Sequence, residues 1–132
     1  MKNILPFIIL ASVNLFSFYK LDTLIDDLNY PWGMTFISEN TLLITELPGK
    51  IKRINLMTNE VTEIKNVKKV LFRGQGGLSG ITLHPEYKEN GWIYISYSAS
   101  TKAGKNTLFV DRIRIENCLL YTSPSPRDTN ES

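Results

Sequence analysis

Short apolar runs broken by turn residues govern the chain from Pro31 onward. Gly33–Ile37 gives way to Ser38-Glu39-Asn40, then to Thr41–Glu46, and Pro48-Gly49 leads into Lys50–Leu56. Within that third run Ile51, Arg53 and Asn55 share one face, and Lys52, Ile54 and Leu56 the other, the period of two that a strand requires. Met57–Glu60 turns again into Val61–Ile64. No segment after Asp27 carries a helical period. Runs this short, rich in β-branched residues and bounded by turn signals, predict an all-β chain.

The pattern then repeats. Gly33 aligns with Gly80, Thr35 with Thr82 and Phe36 with Leu83, an offset of about 47 residues. The second copy inserts a turn, His84–Asn90, and Thr107–Glu116 stands where Lys50–Leu56 does. A repeat of this length is typical of a β-propeller blade, a four-stranded sheet that covers its faces by stacking on its neighbours. Residues 28–116 are therefore expected to form about two blades. On their own these would leave apolar faces uncovered and aggregate.

The two ends read differently. Met1-Lys2-Asn3 is followed by the uncharged stretch ILPFIILASVNLFSF, so residues 1–19 are expected to be a secretory signal, with an uncleaved anchor or a buried core segment as alternatives. The stretch is short for a membrane span. An exported, periplasmic or extracellular protein follows, with no integral membrane domain beyond the signal. At the other end, Cys118 opens CLLYTSPSPRDTNES, rich in Ser and Pro. The run CLLYTSPSPRD looks like the translation of a transposon sequencing adapter. Residues 118–132 are accordingly set aside as non-native, with the natural chain expected to break off near Asn117. The single cysteine then carries no redox inference.

The formal net charge of +2 is too small to point to nucleic acid. The densest basic run, Lys65, Lys68, Lys69 and Arg73, is expected to be a solvated face beside a turn. The informative segment is FRGQGGLSGITLHPEY (Phe72–Tyr87), with four glycines in the seven positions from Gly74 to Gly80. A dinucleotide fingerprint would need a glycine where Ser79 stands and a helix where the strand-like ITLH follows, and no Gly-Lys-Ser/Thr is present. The segment is instead a tight turn feeding a strand. Its one polar side chain, Gln75, either is merely solvated or presents one acceptor and two donors to a ligand.

Taken together, YPWGMTFI, TLLITELPGKIKRI and GQGGLSGITLHPEYKENGWIYISYS resemble the soluble quinoprotein sugar dehydrogenases, the glucose/sorbosone or aldose sugar dehydrogenase family, over Leu28 to about Glu116. Leu47 departs from a usual arginine and Ser79 from a usual leucine. The resemblance implies a six-bladed propeller that binds pyrroloquinoline quinone (PQQ) and calcium on its axis. Such a protein oxidises aldose sugars at C1 to lactones and passes electrons to a respiratory acceptor. Gln75 matches the family's substrate- and cofactor-facing glutamine. The catalytic histidine, the quinone-holding cations and most calcium ligands would lie beyond Asn117, which would leave this fragment inactive. His84, in a Leu-His-Pro turn, is expected to be structural. Asp22, Asp26 and Asp27 are expected to be solvated or capping, Trp32 and Trp92 to be core or blade-interface residues, and Glu46 and Arg53 to orient the blade. The alternative is a non-catalytic carbohydrate- or protein-binding propeller, or a lactonase-like hydrolase.

Overall fold

The computed structural model describes residues 19–122. Residues 1–18 of the expected 1–19 signal, and the tail after residue 122, lie outside the described residues. Among the described residues, eight strands form two four-stranded antiparallel sheets, each a meander in chain order. The first holds β1 (Pro31–Ser38), β2 (Thr41–Glu46), β3 (Lys50–Asn55) and β4 (Glu60–Glu63). The second holds β5 (Leu78–Leu83), β6 (Ile93–Ser100), β7 (Asn106–Glu116) and β8 (Leu119–Thr122). These are the two expected blades, with their first strands, β1 and β5, against one another.

Turn chemistry sets the strand ends. The Asn55 carboxamide oxygen accepts the Met57 N–H at 2.9 Å, and Asn59 takes the left-handed conformation (φ 57°) that closes β3 onto β4. The inserted turn of the second blade is a single helical turn, α1 (Tyr87–Asn90), ended by Gly91 in the left-handed region. Four residues are too few to impose a helical period on the sequence, which is why the pattern did not reveal it.

Between the sheets lies the main core: Leu43 and Ile51 from the first blade, and Leu78, Ile81, Ile93, Ile95 and Ile113 from the second. A smaller core, Leu42, Ile44 and Ile54, lies on the other face of the first sheet under Ile25 and Leu28 of the strap, residues 19–30. β2 thus buries both faces, and its run Leu42-Leu43-Ile44 is continuously apolar for that reason. The alternation read in β3 is realised, with Ile51 in the main core and Ile54 in the smaller one.

Of the two places expected for Trp32, core or blade interface, the core is excluded among the described residues. With Met34 and Phe36 it lies on the uncovered face of β1, 59 % exposed. The fold also extends past Glu116. Leu119–Thr122 pairs with Ile113–Glu116, and Leu120 is buried. Leu120 joins the main core, and the Cys118 carbonyl and Leu120 N–H bond the Lys65 backbone at 2.9 and 3.0 Å, so this outer strand is held on both edges. Its two-residue turn holds Asn117 and Cys118 both at positive φ, 49° and 60°, the pattern of a type I′ hairpin.

Candidate functional site

Gln75 stands at the tip of a tight turn. The Gly76 N–H donates to the Arg73 carbonyl at 2.9 Å, and Gly74 carries φ 60° while Gln75 does not adopt a positive φ. Positive φ at the first central position alone, occupied by glycine, is the type II′ arrangement. Arg73, Gly74 and Gln75 are all exposed, so the carboxamide is presented to solvent by a backbone that is fixed below it.

The fixing is extensive. The Leu71 N–H donates to the Ser98 carbonyl at 2.7 Å, and the Ser98 hydroxyl returns a bond to the Leu71 carbonyl at 3.0 Å. The Gly77 carbonyl accepts the Ser98 N–H at 3.0 Å, and the Leu78 N–H reaches across to the Leu47 carbonyl of the first blade at 3.0 Å. Lys68 is paired with Asp111 at 2.7 Å, and the Tyr97 hydroxyl donates to the same Asp111 oxygen at 3.0 Å. The hydrogen bond to Asp111 raises the Lys68 pKa, and burial, followed by the Asp111 contact, raises that of Tyr97. The loop from Lys65 to Gly77 is therefore a clamped segment rather than a linker.

Glu46 lies at the same end of the molecule, paired across the sheet with Pro31 and Lys50. It is completely buried and, among the described residues, the only charged side chain in the core. Its Oε1 accepts the Asn29 N–H at 2.7 Å and meets the Lys52 ammonium at 3.1 Å, while Oε2 is buried without a hydrogen-bond partner. The expectation that Glu46 orients the blade left its depth of burial unread. The signal available was a carboxylate inside the run LLITEL.

His84 lies at the opposite end of β5, whose six residues span roughly 20 Å. Its Nδ1 accepts the Glu86 N–H at 3.0 Å and lies 2.9 Å from the Asn90 side-chain nitrogen, and its own N–H bonds the Trp92 carbonyl. This is the structural role expected of it, holding α1 against the sheet. Trp92 is half-buried under Arg112 and Arg114, whose guanidinium carbons lie 4.4 and 4.0 Å from the ring centroid, so its face is engaged by cations of its own chain. Asp22 pairs with Lys20 at 3.0 Å, and Asp26 and Asp27 are exposed. Among the described residues no three His, Cys, Asp or Glu side chains are grouped to hold a metal ion, and no helix is long and apolar enough to cross a membrane.

Comparison with known proteins places this geometry. The family profile for glucose/sorbosone dehydrogenases matches residues 28–123. The aldose sugar dehydrogenase YliI of Escherichia coli is 30 % identical over 87 residues, covering 65 % of this chain and 24 % of that protein. Quinoprotein glucose dehydrogenase B of Acinetobacter calcoaceticus is 34 % identical over 76 residues, 55 % of this chain and 16 % of that one. The solved PQQ-bound aldose sugar dehydrogenase of Streptomyces coelicolor superposes with a TM-score of 0.62 at 31 % identity, over 74 % of this chain and 28 % of its own. The chain thus spans about a quarter or less of the length of these relatives. Two stacked four-stranded blades, the glycine-framed turn between them and a profile match running through both make the chain a member of the glucose/sorbosone dehydrogenase family.

Proposed function

We propose that this chain supplies the first blades of an exported quinoprotein that oxidises aldose sugars at C1 to lactones with PQQ and calcium, and delivers the electrons to a respiratory acceptor. The observation that carries the reading is Gln75. A carboxamide raised on a II′ turn, with Gly77 bonded to the second blade and Leu78 to the first beneath it, can reach a polar ligand from a backbone that is already fixed. Family membership supplies the class of ligand. The amide fits a sugar hydroxyl or a quinone oxygen as donor or acceptor. Calcium is a different matter: no described residues are grouped to hold it, so no residue of this chain is assigned to it. When bound, the quinone supplies the acceptor for the hydride that leaves C1. The proton released from the sugar hydroxyl needs a base, and the only histidine of the chain is at the far end of β5.

The test is dye-linked sugar oxidation with added PQQ and calcium, run on the full-length product of the source gene, on its Gln75→Ala variant and on the 132-residue chain. Oxidation dependent on both additives is expected from the first. The Gln75→Ala variant should lose about tenfold to a hundredfold in kcat/KM, the range for one lost hydrogen bond to a ligand. The short chain should show no turnover. A full-length product without PQQ-dependent oxidation overturns the reading and favours a binding or hydrolytic propeller.

A further inference from the structure

We propose that Glu46 is a positioning residue for the Gln75 turn, joining the N-terminal strap to the backbone that carries Gln75. The inference deepens the reading that Gln75 faces the ligand and rests on it for its functional meaning. Its basis is the convergence of ties on Thr45-Glu46-Leu47 at the end of β2. The Thr45 hydroxyl accepts the Gly33 N–H at 2.9 Å and lies 2.6 Å from the Ser79 carbonyl oxygen, to which it donates. Leu47 donates its N–H to the Tyr30 carbonyl and accepts the Leu78 N–H, each at 3.0 Å. Between them, the Glu46 carboxylate gathers the Asn29 N–H and Lys52, and Lys52 in turn donates to the Asp27 carbonyl at 2.6 Å.

These contacts bracket a strained residue. Tyr30 has φ 52°, a conformation that a bulky side chain keeps only where its surroundings impose it. Glu46 holds the residue before it and Leu47 holds its carbonyl. The outcome is that the Tyr30 ring packs on Phe72, with centroids 5.4 Å apart, three positions from Gln75. Two routes therefore lead from the carboxylate to the turn: backbone through Leu47 to Leu78, and ring contact through Tyr30 to Phe72. An ion pair kept only for stability could be exchanged for apolar residues. A carboxylate that accepts a strap amide beside a left-handed tyrosine does a geometric task that no aliphatic side chain can.

Hydrogen exchange of backbone amides, read by mass spectrometry on the chain without ligand, tests this. Glu46→Ala is expected to speed exchange in the segment 72–79 about tenfold or more while leaving β7, which makes no backbone bond to that segment, unchanged. Glu46→Gln, whose amide oxygen still accepts from Asn29, should restore most of the protection. Should Glu46→Ala fail to fold, Glu46→Met, which fills the same space but offers the Asn29 N–H no oxygen acceptor, is expected to give the same local acceleration. Equal acceleration in both segments, no change at 72–79, or no rescue by glutamine overturns the proposal. Gln75→Ala should leave the exchange at Leu78 as it was, so the ligand-binding reading can fail without touching this result.

Discussion

Nothing lies within 4 Å of a Cβ built on Gly74, whereas one built on Gly77 would run into the Leu47 carbonyl oxygen. The two glycines of one turn therefore serve different ends. Gly74 supplies a positive φ of 60° at the first central position of the II′ turn, a place that suits glycine rather than an L-residue, and Gly74→Ala should cost about 1–3 kcal/mol. Gly77 lets two backbones touch, and Gly77→Ala should cost more than about 3 kcal/mol, because the clash is with main chain and cannot be relieved by a rotamer. Urea unfolding of the two variants checks the order; equal losses would mean that Gly77 is not held against Leu47. The same logic applies to Cys118, which carries φ 60° at the second position of a hairpin turn where glycine is preferred. Cys118→Gly is expected to stabilise the chain by about 1 kcal/mol, seen as a higher urea midpoint at unchanged slope.

Between residue and molecule stand the strands and the clamped loop. The loop's attachment through Lys68, Asp111 and Tyr97 makes its stability depend on alkaline pH. Tyr97 and Lys68 both have pKa values raised from their ordinary 10.0 and 10.5, by burial and by Asp111 respectively. Each keeps its proton more firmly folded than unfolded, so the contribution is whole below about pH 10 and is lost as pH rises through the folded values. Tyr97→Phe should flatten the alkaline limb of a stability–pH curve; a limb equally steep in the variant would remove Tyr97 from the account. Seven of the eight strands were legible in the sequence, because period-two runs and turn residues act locally. β8 was not, since its pairing is supplied by the exposed edge of β7 rather than by its own pattern. Gln75 was singled out because glycines flank it on both sides. Glu46 was not read as the anchor beneath it, because burial of a carboxylate depends on Asn29 and Lys52, which lie 17 and 6 positions away in the chain and meet only in the fold.

At the scale of the whole molecule, one sheet-to-sheet core is complete and the two outward faces are unequal to it. The outer face of the first blade shows Trp32, Met34 and Phe36, and that of the second shows Leu108 and Val110, the latter two 66 % and 65 % exposed. These faces point away from each other, so an association that joins the first face of one copy to the second face of the next does not pair off and stop. It propagates unless the rotation closes. The chain studied alone is therefore expected to associate with rising concentration, measured by light scattering or sedimentation velocity. A lysine at either Met34 or Val110 should suppress the association on its own, because each contact needs one face of each kind. If only the double variant suppressed it, the contact would join like faces. A concentration-independent monomer with a sharp melt would show that the apolar residues of β1 and β7 are too dispersed to act as an interface at all.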